Sequence, residues 1–190
     1  LLELEEKLKE DAVCLPGGII VVGSFLNHQV DPELAKSIGS AFAKLFESER
    51  PTKVLTVETS GIVPAFATAL AMNVPLLFAR KQKPITMVHP PYMAQAKSHT
   101  KGNEVEFYVS AEYLSKEDRV LIIDDFLATA VTVVALCDVV KQSGAKLVGI
   151  GAVIEKCYEE GRAKLGEQNV RIETLAKVAR LEDGKLIFDH

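Results

Sequence analysis

Residues 120–132 read VLIIDDFLATAVT: a β-rich apolar run, two adjacent carboxylates (Asp124 and Asp125), then small and hydroxyl residues that enter a helix. This order is that of a parallel strand delivering its carboxyl end to a loop and a helix N-terminus. The helix is expected over residues 132–142, closed near Gly144, with a further apolar strand over residues 147–154. Adjacent acids at such a strand end can accept hydrogen bonds from a sugar diol or hold a cation. The small residues after them leave backbone N–H groups open to a phosphate. The plainer alternative is that Asp124 and Asp125 cap the helix or sit in water.

A second unit of the same grammar lies upstream. Residues 53–57 form a strand, Glu58-Thr59-Ser60-Gly61 a turn, residues 64–72 a helix and residues 76–79 a strand. Two βαβ units imply an α/β fold with an open, mainly parallel twisted sheet, helices on both faces and ligands at the carboxyl ends of the strands. Before them, residues 1–11 place Leu1, Leu4 and Leu8 on one side of a charged helix, and residues 19–22 read as a strand. Asp31-Pro32-Glu33 supplies an N-cap, a first-turn proline and a first-turn acid to a helix carrying Leu34, Ile38, Phe42, Leu45 and Phe46. Residues 84–103, rich in Pro, Gly, Ser and Thr, read as a long loop or weak hairpin of the kind that serves as a lid. No linker or internal repeat divides residues 1–190, so one domain is expected.

The charge balance narrows the partners. With 22 Lys and Arg against 26 Asp and Glu, the net charge of -4 disfavours nucleic acid and anionic membrane. The balance is uneven: residues 59–103 contain no Asp or Glu, yet hold Arg80, Lys81, Lys83, Lys97 and Lys101. A small anionic ligand fits that division. The uncharged part of this window is punctuated by Gly61, Pro64, Asn73 and Pro75, which favours loop, helix and strand over a membrane span. Cys14, Cys137 and Cys157 are odd in number and widely spaced, no secretory leader is read, and a reducing cytoplasm is the expected location. The cysteines read as small buried hydrophobes, and His28, His89, His99 and His190 lack metal-ligand spacing. No strand is followed by the Gly-x-Gly-x-x-Gly turn of a dinucleotide-dependent oxidoreductase.

The acid pair and the loop Ala128, Thr129, Ala130, Val131 and Thr132 resemble the phosphoribosyl-diphosphate motif of type I phosphoribosyltransferases. The resemblance runs on through residues 24–29, Asp31-Pro32, residues 78–81, Ser98, Thr100-Lys101 and residues 153–156. It implies that fold, with a small hood from the N- and C-terminal segments, and a purine salvage reaction. In that reaction the 5-phosphoribosyl group passes from phosphoribosyl diphosphate to xanthine, giving xanthosine 5'-monophosphate and pyrophosphate. It further implies that Asp124 and Asp125 meet the ribose, that residues 128–132 wrap the 5-phosphate, and that Glu58, Thr59, Ser60, Gly61, Arg80 and Lys81 serve the pyrophosphate. Ser98, Thr100 and Lys101 would belong to a closing lid, and Ile20, Asn27 and Lys156 to the purine site, with Phe126 or Tyr158 stacking on the base. Magnesium would come in with the diphosphate, without a dedicated protein cage, and the protein would be a homodimer. The family also contains phosphoribosyl-diphosphate sensors of the purine-repressor type and enzymes preferring guanine or hypoxanthine, which are the competing readings.

The loop departs from the family pattern. Ala130 stands where a Gly is usual, at an expected cost of about 1 kcal/mol in a phosphate cradle, and Val131 adds a β-branched side chain. Ala128 stands where relatives acting on hypoxanthine and guanine carry an acid, so no general base is assigned.

Overall fold

The computed structural model describes residues 1–97 and 104–189. The chain begins with helix α1 (Leu2–Asp11), the short hairpin β1 (Val13–Leu15) and β2 (Ile19–Val21), and a π-helical turn at Gly23–Asn27. Helix α2 (Pro32–Leu45) starts where Asp31 was expected to cap it: its carboxylate accepts from the amides of Glu33 and Leu34, both at 3.1 Å, with Pro32 in the first turn.

The two βαβ units follow. The first is β3 (Lys53–Val57), α3 (Ile62–Met72) and β4 (Leu76–Ala79); the second is β7 (Arg119–Leu127), α4 (Val131–Ser143) and β8 (Lys146–Lys156). The short helix α5 (Gly161–Leu165) leads to β9 (Ile172–Glu182) and β10 (Lys185–Phe188). In the six-stranded sheet the order is β10-β9-β8-β7-β3-β4, with β10 antiparallel to β9 and the other neighbours parallel. From the central pair β3 and β7 the two crossovers run outward in opposite directions. Right-handed connections then place α3 and α4 on opposite faces. Side chains along β7 confirm the division: Leu121 and Ile123 pack with α2 and α3 residues such as Phe42 and Ala65, while Val120 and Ile122 pack with Val133 and Leu136 of α4.

Besides the β1–β2 hairpin, two more strands lie apart from this sheet. Part of residues 84–103 forms β5 (Pro91–Lys97), which pairs antiparallel with β6 (Glu104–Ser110), so the weak-hairpin reading holds with its second arm beyond the expected limit. Gln142 of α4 anchors the hairpin, giving its side-chain amide to the Met93 carbonyl at 2.7 Å and accepting the Met93 amide at 3.2 Å. Strand β7 runs further than the expected residues 120–123, because Asp124, Phe126 and Leu127 remain in register with Ala152, Ile154 and Glu155. Among the described residues no helix is long and apolar enough to cross a membrane. Cys137 is buried as expected, with burial pushing its thiol up to about 12, whereas Cys14, in the β1–β2 hairpin, is partly exposed and Cys157, just past the end of β8, is exposed.

Replacing Asp31 by Ala removes the acceptor for two orphan amides of α2. The expected loss is about 1 kcal/mol, or about 2–4 °C in Tm by thermal denaturation at pH 7.

Candidate active site

The switch point of the sheet lies between the carboxyl ends of β3 and β7, and a cavity of about 230 Å³ opens there. It is lined by Glu58, Ser60 and Lys81 on one side and by Asp124, Asp125, Phe126 and residues 128–132 on the other. Asp124 and Asp125 are each only 7% exposed. Neither caps α4, whose N-cap position is Ala130 without a side-chain hydrogen bond. The Asp125 amide donates to Asp124 Oδ1 at 2.9 Å, and the Phe126 amide donates to Asp125 Oδ1 at 3.0 Å. Burial first, and the neighbouring Asp125 second, hold the Asp124 carboxyl well above its usual range; the charge of Lys81 opposes both.

The loop after the acids turns through Ala130 at φ 61° and ψ 8°, the left-handed region that a β-carbon disfavours. The position therefore has the backbone that the sequence comparison with a Gly-bearing loop implies. It opens α4, a helix of 13 residues, so the free amides of the first turn and the positive end of the helix dipole face the cavity.

Gly61, expected to permit a sharp turn, instead has an ordinary right-handed φ of -68°. What it provides is space: a β-carbon there would lie 2.3 Å from Thr56 Oγ1 and 2.8 Å from Asp124 Oδ1. The peptide between Glu58 and Thr59 is cis. Glu58 grips the next strand end, accepting Arg80 Nε at 2.6 Å and the Lys81 amide at 2.7 Å. Arg80 is thereby neutralised and lies over the Phe78 ring at 5.9 Å, outside the cavity lining, while Lys81 reaches the cavity. Thr59 also stays outside the lining.

The expected purine residues gather on the hairpin side. Ile20 is buried in β2, and Asn27 donates from Nδ2 to Asp125 Oδ2 at 3.3 Å, tying the N-terminal segment to the acid pair. Lys156 donates to the Gly18 carbonyl at 2.8 Å, pairs with Glu159 at 3.6 Å and lies 5.7 Å from the centre of the Phe126 ring. Tyr158 donates to the same Gly18 carbonyl at 3.1 Å. Ser98, Thr100 and Lys101 lie outside the described residues. Among the described residues no three His, Cys, Asp or Glu side chains converge as a metal-ligand group; His28 is exposed, and the exposed His89 faces Glu112 at 3.2 Å. The grip of Glu58 on Arg80, the bond from Asn27 to Asp125 and the cavity-lining Val57 and Val133 carry no local sequence signal, because each depends on packing between distant segments.

The model of the phosphoribosyl transferase domain matches residues 28–174. This chain belongs to that family. The phosphoribosyltransferase is 47% identical over 181 residues to the xanthine phosphoribosyltransferase of Deinococcus deserti, covering 95% of this chain and 94% of that one. It is 49% identical over 186 residues to the xanthine phosphoribosyltransferase of Brevibacillus brevis, covering 98% and 95%. Among solved structures, adenine phosphoribosyltransferase from Trypanosoma brucei, in complex with AMP, pyrophosphate and ribose-5-phosphate, superposes with a TM-score of 0.80 at 21% identity, covering 96% of this chain and 82% of that one. Adenine phosphoribosyltransferase from Rhodothermus marinus gives 0.77 at 22% identity, covering 94% and 100%. These structural likenesses establish the type I phosphoribosyltransferase fold.

The raised pKa of Asp124 in this phosphoribosyltransferase has a defined sign. A carboxyl whose folded pKa exceeds its unfolded one weakens the fold above the raised value, and the penalty fades as pH falls toward its ordinary value of 3.8. Asp124→Asn is therefore expected to raise Tm at pH 7–8 and to lose that gain on acidification, each ~1 kcal/mol appearing as about 2–4 °C. An unchanged Tm at pH 8 counts against a raised Asp124 pKa.

Proposed function

We propose that residues 1–190 form one phosphoribosyltransferase domain that transfers the 5-phosphoribosyl group of phosphoribosyl diphosphate to xanthine, yielding xanthosine 5'-monophosphate and pyrophosphate in purine salvage. The observation that carries the reading is the cavity itself, where two buried acids and a small-residue loop at a helix N-terminus meet a lysine from the neighbouring strand end. Sugar hydroxyls suit the acids, phosphate suits the loop and diphosphate suits the lysine. The names of the relatives support xanthine as the acceptor.

In this reading Asp124 and Asp125 accept the ribose hydroxyls and orient the sugar. The amides of Ala128, Thr129, Ala130, Val131 and Thr132, with both threonine hydroxyls, hold the 5-phosphate. Ser60 and Lys81 face the diphosphate; Glu58, Thr59 and Gly61 shape its turn, and Glu58 fixes Arg80 and the Lys81 backbone beside it. A purine nitrogen of the xanthine anion, whose proton has already gone to solvent, bonds to C1 of the ribose while the bond from C1 to the diphosphate oxygen breaks, the electron pair leaving with pyrophosphate. Lys81 stabilises that developing charge. Ser98, Thr100 and Lys101 are assigned to a lid that keeps water from the electron-poor C1.

Magnesium fits this site, because two adjacent buried carboxylates line the cavity and Asp124 is held above its usual range despite the charge of Lys81. Asp124 and Asp125 would hold it through the substrate's hydroxyls, and when bound it would neutralise the diphosphate. Ile20, Asn27 and Lys156 are assigned to the base, with Phe126 as its stacking surface. The lysine is a donor, which suits the oxo groups of xanthine and not the exocyclic amine of adenine. A cytoplasmic homodimer completes the reading; the outward face of α3 offers a second copy Phe66 and Leu70, 58% and 70% exposed.

Incubation with magnesium, phosphoribosyl diphosphate and each of xanthine, guanine, hypoxanthine and adenine tests this. Xanthosine 5'-monophosphate should form fastest. Absence of product with every base overturns the enzyme reading in favour of a sensor, and faster turnover of adenine than of xanthine overturns the role of Lys156.

Ala130→Gly relaxes the left-handed position and is expected to lower the Michaelis constant for phosphoribosyl diphosphate about three- to tenfold, the equivalent of about 1 kcal/mol. A raised or unchanged constant shows that the loop meets phosphate in another way.

A further inference from the structure

Behind the loop that ends β7 lies a group of residues that the cavity does not touch. Glu155, 3% exposed, stands beside Leu127 in the register of β7 and β8. Its carboxylate accepts the Arg162 fork, Nε at 2.5 Å and Nη2 at 2.6 Å, and the Thr174 hydroxyl at 2.8 Å. Burial alone would raise the Glu155 carboxyl; the hydrogen bonds from Arg162 and Thr174, with the charge of Arg162, overcome it and leave it below its ordinary value. Arg162 also donates to the Thr174 hydroxyl at 3.3 Å and to the Ile172 carbonyl at 3.4 Å, so one guanidinium joins α5 to β8 and β9.

Arg162 follows Gly161, the first residue of α5. Gly161 is pressed against the loop: a β-carbon on it would lie 2.1 Å from the Ala128 carbonyl oxygen and 3.0 Å from Leu127 Cδ1. Leu165, fully buried, fixes the far end of α5 in the same apolar cluster as Leu127 and Val133. Two residues beyond Ala128 the backbone takes the left-handed turn at Ala130, which an alanine does not favour on its own.

We propose that the Arg162–Glu155 ion pair and Gly161 act as a strap that holds the back of residues 127–130, making Arg162 and Glu155 positioning residues for binding of the 5-phosphate. The strap rests on the phosphoribosyl-transfer reading. It explains how a loop with alanine at a left-handed position keeps its shape: α5 blocks the direction in which the loop would relax. A bidentate arginine suits the task, since its rigid fork fixes orientation as well as distance.

Glu155 adjoins Lys156, so the test varies Arg162 and Gly161. In steady-state kinetics Arg162→Gln and Gly161→Ala are expected to raise the Michaelis constant for phosphoribosyl diphosphate about tenfold or more, with kcat and the constant for xanthine within about threefold. Arg162→Lys, which keeps the charge and loses the fork, should fall between. A change below about twofold in a folded variant, or an equal loss in all three parameters, overturns the strap. Should Arg162→Gln fail to fold, Gly161→Ala and Arg162→Lys decide by the same criterion. Calorimetry with ribose 5-phosphate on the same proteins separates the two readings. A wild-type protein that binds it without transferring overturns the function alone, and the strap is then judged by the ratio of variant to wild-type Kd. A wild-type protein that does not bind it overturns both.

Discussion

Two carboxylates side by side at the end of an interior strand are the constraint around which this structure is arranged. Strand β7 is covered on both faces, and Asp124 and Asp125 continue its ladder rather than escaping it. Such burial is costly for charge unless hydrogen bonds or a cation compensate. The chain supplies two backbone amides and the Asn27 side chain. The charge of Lys81 from the neighbouring strand end adds to them. In the proposed function, sugar hydroxyls donate to the same carboxylates.

The neighbouring features follow from the same constraint. Space for the Asp124 carboxylate is made by the missing β-carbon of Gly61, which brings the turn after β3 close to the end of β7. Thr56 Oγ1, at the floor of this approach, is buried without a hydrogen-bond partner among the described residues. Across the switch point, Glu58 uses its own charge to cancel that of Arg80, so Lys81 is the cation of that strand end that meets the cavity. The positive potential at the site is therefore placed, and does not simply add up the residues of the carboxylate-free stretch. Of the other described cations of that stretch, Arg80 and Lys83 lie outside the cavity lining.

Local pattern accounts for much of the sheet. Strands β3 and β4 match residues 53–57 and 76–79, since apolar runs bounded by turn residues admit few other readings. The capped start of α2 and the left-handed Gly144 after α4 were legible for the same reason. Strand β7 outruns its sequence pattern, because a carboxylate pair normally signals the end of a strand, and here Asp124 stays in register with Ala152. Strand β9 has no clear signal in the sequence, although its burial alternates in places with the period of a strand, and its role as a parallel neighbour of β8 is decided by tertiary pairing. The site divides in the same way. The acids and the loop are contiguous and therefore legible; Asn27 meets Asp125 across 98 residues of chain, and no periodicity encodes that meeting.

Stability and binding occupy different layers of this molecule. The apolar clusters on the two faces of the sheet are fully buried and conventionally packed, from Phe42 and Ile123 on one side to Leu136 and Ile122 on the other. At the carboxyl ends of β3 and β7 the ordinary preferences are set aside within a few residues: a buried acid is held above its usual pKa, a hydroxyl lacks a partner among the described residues, and an alanine adopts a glycine-like backbone. Each departure is small beside the burial beneath it, and all of them gather where the sheet ends. The rigid sheet below keeps this rim from relaxing by itself.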